Sequence, residues 1–153
     1  MPADLQIREY QSQDFPALYQ LDQSCFPPGI SYSKNTLRYF LSLASAECLV
    51  ASAGKQIAGF ILCEVNSPLA HVITLDVSGL HRQRGIGSAL FRAMESKIAA
   101  QGVRTVLLES AVNNGSGVAF WKRHGFGVAG ISKRYYLGRI DAYEMRKSLE
   151  PAR

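Results

Sequence analysis

Apolar positions along the chain alternate, run together or recur at helical spacing, and each mode predicts an element. Leu5, Gln6, Ile7 and Arg8 alternate, which predicts a short first strand. Phe15, Leu18, Leu21, Asp22 and Cys25 then recur at helical spacing, behind Ser12 or Asp14 as cap and with Pro16 in the first turn. Pro27 and Pro28 stop that helix, since proline cannot continue the backbone bonding. Ser31 or Ser33 opens a second helix with Leu37, Phe40 and Leu41 on one face. Apolar runs over 48–51 and 57–63 predict two strands, joined at Gly54-Lys55 by a hairpin turn of the primed type. Asn66-Ser67-Pro68 turns the chain into a further strand over 71–77.

From there the pattern changes. Ile86, Leu90, Ala93, Met94, Lys97 and Ile98 recur at three and four, the mark of a buried helical face, and Gln101-Gly102 ends the helix. Residues 105–108 are almost wholly apolar, as expected for a strand covered on both faces, and Glu109 stands at its end. Strand, helix and strand in succession demand a parallel pair with a right-handed crossover. Residues 113–117 form a loop and cap, and a short helix carries Val118, Phe120 and Trp121 as far as His124-Gly125. A strand begins at 126–128, Tyr135, Tyr136, Leu137 and Gly138 make a loop, and 142–149 alternates as a last strand. The expected architecture is a single domain over 1–153: a mixed α/β sheet, mostly antiparallel with one parallel pair, flanked by about four helices.

Composition changes this picture little. Apolar residues make up 47% and charged residues 19% of 153, ordinary values for a globular chain. The net charge of +5 suits an anionic ligand, or is a solubility charge spread over the surface. No run of five Lys or Arg occurs, so no nucleic-acid partner is expected. Cys25, Cys48 and Cys63 are odd in number, widely spaced and without a C-x-x-C pair, which argues against a disulfide scaffold and a metal site alike. The start of the chain has no signal-peptide pattern, and no apolar run approaches the ~18 residues of a membrane helix. A cytoplasmic location without membrane contact is therefore the expectation, with the oligomeric state open between monomer and dimer.

The candidate chemistry lies between residues 71 and 109. The segment Arg82-Gln83-Arg84-Gly85-Ile86-Gly87-Ser88 opens the long helix. A helix start leaves about four N–H groups unpaired, carrying roughly half a positive charge between them. Two glycines let a pyrophosphate approach the backbone, and Arg82 and Arg84 add full charges. A dinucleotide fold is the obvious rival, but the third glycine of its fingerprint would fall on Leu90 and the preceding strands form a hairpin. No G-K-[ST] follows, so a Walker loop is excluded. Phe26, Ile30 and Tyr32, in the connection after the first helix, either line a substrate groove or plug the end of the core.

Arg82-x-x-Gly85-x-Gly87, between a strand ending at Val77 and an amphipathic helix, resembles the acetyl-CoA motif of the GNAT acetyltransferases. Four further segments are similar to N-terminal protein acetyltransferases of the RimI and Ard types. They are His71-Val72-Ile73-Thr74-Leu75; Leu107-Leu108-Glu109 with Asn114 five residues on; Tyr135-Tyr136; and Asp141-Ala142-Tyr143-Glu144-Met145. The resemblance covers nearly the whole chain. It implies the GNAT fold and acetyl-CoA as co-substrate, with a protein or peptide N-terminus as acceptor, possibilities that include a ribosomal protein. It implies that Leu75, Val77, Arg82, Gln83, Arg84, Gly85, Ile86, Gly87, Ser88, Asn114 and Trp121 hold the cofactor. It also implies that Val77, at the end of its strand, stands at the family's bulge, with its N–H facing the thioester oxygen.

In such a reaction a neutral amine attacks a thioester and expels a thiolate. At neutral pH roughly one α-amine in ten is neutral, against about one lysine in a few thousand, so an α-amine needs only modest help. The resemblance makes Glu109 the general base and His71 a second proton-handling group; otherwise they are a strand-end carboxylate in a salt bridge and a packing histidine. Tyr135 and Tyr136 line the peptide groove in such a protein, together with Phe26 and Tyr32 if their connection faces it; otherwise the tyrosine pair stands in for the acid that protonates the thiolate, or is core or interface packing. One departure stands out. RimI-like relatives usually carry a tyrosine where this chain has Trp121, and an indole N–H does not ionise in this range. Arg139 replaces a frequently acidic loop position, which points to an acceptor with an acidic early residue. Three functions stay open here: peptide N-α-acetylation, acetylation of a small amine or lysine, and non-catalytic acyl-CoA binding.

Overall fold

A computed structural model describes residues 5–82 and 84–149 of the chain. In chain order the strands are β1 (Leu5–Glu9), β2 (Ala46–Ala53), β3 (Gln56–Asn66), β4 (Leu69–Val77), β5 (Thr105–Ala111), β6 (Gly127–Tyr136) and β7 (Ile140–Ser148). The helices are α1 (Phe15–Cys25), α2 (Lys34–Ser42), α3 (Ile86–Ala100) and α4 (Gly115–Arg123). The strands form one sheet in the order β1-β2-β3-β4-β5-β7-β6. Among the described residues only β4 and β5 run parallel, joined through α3, so the expected mixed α/β architecture is the one observed.

Local chemistry accounts for the boundaries. A 3₁₀ turn over Ser12–Asp14 precedes α1, and the Asp14 carboxylate accepts from the Gln11 N–H at 2.8 Å and from the Arg8 guanidinium at 2.8 and 2.9 Å. Of the two candidate caps for α2, Ser33 is the one used: its hydroxyl accepts from the Thr36 N–H at 3.2 Å. The β2–β3 hairpin turns at Gly54, whose φ of +62° is of the primed kind expected there.

The sheet carries a core on each face. On one side Leu18, Leu21 and Leu37 of α1 and α2 pack on Val50, Phe60 and Leu62. On the other, Leu90, Phe91, Met94 and Ile98 of α3 pack on Ile61, Cys63 and Val106, with Trp121 and Phe126 closing the edge. Each fully buried aliphatic or aromatic side chain contributes about 1.5–3 kcal/mol of transfer free energy. The strand covered on both faces is therefore β3, not β5. Along β5 buried and half-buried residues alternate, because α3 and α4 cover one face while the other lines a groove. Lys97, expected on the buried face of α3, instead turns outward to Glu9 and Glu47. Tyr135 and Tyr136 are the last residues of β6, and the loop is confined to the residues after them.

Register positions the site. β4 and β5 pair only from Leu69↔Thr105 to His71↔Leu107, then part. Toward β3, Leu62 faces Thr74 and Cys63 faces Val72, so Ile73 is an extra residue on β4. The bulge expected at Val77 thus lies four residues earlier, at Ile73, where it turns the strand away from β5. Farther along, the Ser78 N–H bonds the Ala58 carbonyl at 2.8 Å. Antiparallel neighbours alternate between bonded and non-bonded pairs. The backbone groups of Val77, opposite Gly59, and of Leu75, opposite Ile61, therefore face away from β3, into the gap left by β5.

Candidate active site

The gap between β4 and β5 opens into a cleft of about 870 Å³. Its floor is the splayed backbone, with Leu75 and Val77 on one side and Glu109, Ser110 and Ala111 on the other. Its mouth is the start of α3. Gly85 caps that helix with φ +80°, a left-handed conformation that glycine adopts without strain. The first helical bond runs from the Ala89 N–H to the Gly85 carbonyl at 3.0 Å, so the N–H groups before it are free of helical partners. A Cβ on Gly87 would meet the Phe120 ring at 3.3 Å, which shows how closely this turn approaches α4.

Most of the expected cofactor residues surround this cleft: Leu75, Val77, Arg82, Gly85, Ile86, Gly87, Ser88, Asn114 and Trp121. Arg84 does not; it is exposed and lies outside the lining. Gln83 lies outside the described residues. Arg82 reaches back across the cleft, its Nε–H donating to the Val77 carbonyl at 3.2 Å. Ser88 is hydrogen-bonded to His124 Nε2 at 2.8 Å. Asn114 caps α4, its Oδ1 accepting from the Gly117 N–H at 3.2 Å, while also facing the cleft. Trp121 is packed against Phe91, Phe120 and Phe126 and forms a wall. The free N–H groups, glycines without Cβ atoms and parted strands fit a pyrophosphate with an extended amide-bearing arm, which is the chemistry of a coenzyme A thioester.

A second, smaller groove of about 120 Å³ adjoins it from the opposite side of the sheet. It is walled by Tyr32, Phe40, Glu64, His71, Glu109, Tyr135 and Tyr136. Here the register brings His71 and Glu109 together: His71 Nε2 lies 2.9 and 3.0 Å from the two Glu109 carboxylate oxygens. The Tyr135 hydroxyl donates to Glu109 Oε1 at 3.0 Å and the Tyr136 hydroxyl to the Glu109 carbonyl at 3.4 Å. Glu109 lines both the cleft and the groove.

The electrostatics follow from these contacts. Hydrogen bonding to Glu109 raises the His71 imidazole above its ordinary value, against the opposing effect of burial. Burial pushes the Glu109 carboxyl up, but the His71 bond and charge and the Tyr135 hydroxyl outweigh it, and the group ends below the ordinary range. Burial, then the charge of Glu109, pushes Tyr135 up to about 12. Burial and the neighbouring phenol push Tyr136 up to about 12 as well. Both phenols are therefore neutral hydrogen-bond donors near neutral pH.

Phe26 and Tyr32, for which two readings stood open, both line the cleft, so the α1–α2 connection faces the site. Tyr32 also fills against the core, its hydroxyl donating to the Ile73 carbonyl at 3.3 Å. Residues that the sequence reading passed over include Cys25, whose thiol donates to the Val77 carbonyl at 3.4 Å, and Phe120. Asp76 was passed over too; an acid inside the apolar run of β4 is a legible sign of a buried carboxyl.

N-alpha-acetyltransferase 30 of Xenopus laevis is 27% identical over 120 residues, which is 75% of this chain and 44% of that protein. The chain thus spans less than half the length of that relative. The [ribosomal protein bS18]-alanine N-acetyltransferase of Escherichia coli K12 is 27% identical over 144 residues, 91% of this chain and 94% of the relative. Among solved structures, Ard1 from Thermoplasma volcanium superposes with a TM-score of 0.89 at 24% identity, covering 97% of this chain and 99% of that one. That likeness establishes the shared fold. Residues 15–126 match the Acetyltransferase (GNAT) family, a span that holds α1, the splayed strands, the glycine turn and Trp121. The chain therefore belongs to the GNAT acetyltransferase family.

Proposed function

We propose that this chain, acting as one domain, transfers the acetyl group of acetyl-CoA to the N-terminal α-amine of a protein or peptide. The observation that carries this reading is the position of Glu109, which is shared by the cleft that fits the thioester arm and the groove on the other side of the sheet. An amine entering by the groove meets the carboxylate on its way to the acyl group. The names of the relatives, N-alpha-acetyltransferase 30 and bS18-alanine N-acetyltransferase, support an α-amine as acceptor, and the second makes a ribosomal-protein N-terminus a reasonable first substrate.

Acetyl-CoA would supply an activated acyl carbon and a thiolate leaving group. The N–H groups of residues 85–88 and the Arg82 guanidinium would hold its phosphates. The N–H groups of Leu75 and Val77 face the cleft; we assign the Val77 N–H to the carbonyl oxygen of the acyl group, where a fixed donor stabilises developing negative charge. Glu109, ionised at neutral pH, accepts the proton of the incoming ammonium directly or through a water. His71 gains the same capacity once it has lost its own proton, which its bond to Glu109 delays to higher pH. Tyr135 fixes the Glu109 carboxylate, while Tyr136 and Tyr32 shape the groove for the first residues of the acceptor. Trp121 acts as a wall of the cleft, so the thiolate leaves without a proton from that position. Among the described residues no helix is long and apolar enough to cross a membrane.

The test is release of free coenzyme A from acetyl-CoA and a panel of N-terminal peptides, for the wild type, Glu109→Gln and His71→Ala. Loss of a positioned base lowers kcat by about 10²–10⁴-fold, with acetyl-CoA affinity retained. Full turnover by Glu109→Gln removes the base assignment. Tight acetyl-CoA binding without turnover on any peptide would make the chain an acyl-CoA-binding domain instead.

A further inference from the structure

Asp22 on α1 and Asp76 on β4 take no part in the chemistry above, yet both are among the least exposed residues, at 0% and 1%. α1 packs on β4, which brings the two carboxyls near enough for Asp22 to act on Asp76. Asp22 Oδ2 accepts from the Tyr32 N–H at 2.6 Å, and Asp76 Oδ1 accepts from the Thr74 hydroxyl. That leaves Asp22 Oδ1 and Asp76 Oδ2, both buried and with no hydrogen-bond partner among the described residues. Two carboxylate oxygens cannot bond each other unless one carries a proton, and two touching carboxyls out of water do not both ionise. Burial holds the Asp76 carboxyl well above the usual range, and contact with Asp22 adds to the effect.

The surroundings offer little to replace that proton. From α1 the pair meets the Cys25 thiol, pushed up first by burial and then by Asp76. From the α1–α2 connection it meets the Tyr32 phenol, raised mainly by burial. β2 contributes Cys48, β3 the apolar Phe60 and Leu62 opposite Asp76 and Thr74, and β4 Thr74 itself. Arg82, before α3, is the cation that reaches Asp76, but its side chain is exposed and bonded to the Val77 carbonyl.

Geometry makes the pair consequential. One proton ties α1 to β4, and the same Asp22 carboxyl holds the amide of Tyr32, whose ring walls both cavities. We propose that Asp22 and Asp76 form a proton-sharing latch that positions Tyr32 and the α1–α2 connection against β4 for acceptor binding. The proposal rests on the reading of the smaller groove as the acceptor site. When rising pH strips the shared proton, two carboxylates repel across the α1–β4 seam, and Tyr32 loses its fixed place. Acceptor KM rises, while acetyl-CoA binding at residues 85–88, on the other side of the sheet, is unaffected.

Kinetics on the best acceptor peptide from pH 6.5 to 9.5, together with hydrogen exchange at the Tyr32 amide, test the latch. Asp22→Ala removes both bonds, and is expected to raise peptide KM about tenfold, the equivalent of one charge-assisted hydrogen bond, with acetyl-CoA KM within about twofold. Exchange at Tyr32 accelerates by about the same factor. Asp76→Asn is the conservative rescue: its amide donates to Asp22, its carbonyl accepts from Thr74, and neither titrates. It should keep wild-type peptide KM at pH 7 and abolish the alkaline rise in KM expected of the wild type. An alkaline rise unchanged in Asp76→Asn overturns the latch, as does wild-type exchange at Tyr32 in Asp22→Ala. Should Asp22→Ala fail to fold, the pH profile of Asp76→Asn decides alone. Should the wild type acetylate no peptide, the functional reading falls; Tyr32 exchange against pH in the wild type and Asp76→Asn then decides the latch separately.

Discussion

His71 and Glu109 are the residues on which the chemistry turns, and their mutual effect sets a pH dependence with a definite sign. His71 is raised by Glu109, so the pair keeps an imidazolium to a pH above the ordinary ~6.5 of histidine. An imidazolium cannot accept a proton. The expected kcat/KM therefore climbs with pH through this raised value, beyond the climb due to the α-amine itself. In Glu109→Gln the main raising partner is gone and burial is opposed only by the lesser effect of Glu64, so the residual activity has its limb shifted to lower pH. A pH–rate profile of the two proteins checks this, and a limb that stays in place removes His71 as the titrating group. The linkage to stability has two sides. The raised His71 contributes stability that is present at low pH and lost as pH rises through its folded value. The lowered Glu109 contributes stability present above its unfolded value and lost as pH falls through the folded one. Both residue types were readable in the sequence as candidates, and the parallel pairing of the strands that carry them followed from strand, helix and strand in succession. Tyr135 as a third member, bonded to the same carboxylate, was not. Its reach depends on β6 carrying the tyrosine pair as strand rather than loop, with Arg134 at φ +55° beside it.

At the scale of elements, the start of α3 and the β6–β7 loop make separable predictions. Gly85 sits at φ +80°, where a side chain costs about 1–2 kcal/mol. Gly85→Ala is expected to lower stability by about that amount in denaturant unfolding and to weaken acetyl-CoA binding, with peptide KM unchanged. The loop at Leu137–Arg139 lies across the site from the α1–α2 connection and meets it, the Leu137 side chain sitting where a Cβ on Gly29 would go. Arg139 is exposed on this loop, its N–H tied to the Tyr136 carbonyl at 3.1 Å. We expect Arg139→Glu to reduce turnover on peptides with an acidic second residue by about two- to fivefold and to leave neutral peptides alone, as a rim charge would. A peptide panel showing no such difference excludes Arg139 as a selector.

For the whole molecule, the two cores hold the sheet at the angle that the cleft needs. Phe91 is 1% exposed and meets Trp121, His124 and Phe126 edge-on, joining α3 to α4 on the far wall of the cleft. Phe91→Ala is expected to cost about 3–5 kcal/mol in chemical denaturation. It also loosens the Trp121 wall, so acetyl-CoA binding falls in the same variant even under conditions where it is folded. Phe91 did not stand out in the sequence, because Ile86, Leu90, Met94 and Ile98 already define a helical face without it. Only the position of α4 widens that face to include it.

The division between sequence and structure follows the range of the interactions. Alternation along β1, the 3.6-residue period of α3, the stop at Pro27 and the glycine turn at Gly85 are written within a few neighbouring residues. They determined the elements, their order and the anion-binding start of α3. The helix cap at Ser33 was narrowed to two serines for the same reason. What the tertiary structure decided involves residues far apart in the chain. The bulge at Ile73, four residues from its expected place, depends on the register between β3 and β4. Both-sided burial belongs to β3 because helices cover both of its faces. Arg84 leaves the cleft and Arg82 enters it although both flank the same turn, since only the fold selects which arginine meets the Val77 carbonyl. Asp22 and Asp76, unremarkable as single residues, are buried together only when α1 is laid on β4. Local pattern is additive and legible; register, splay and shared protons are properties of contacts, and they exist only once the chain has folded.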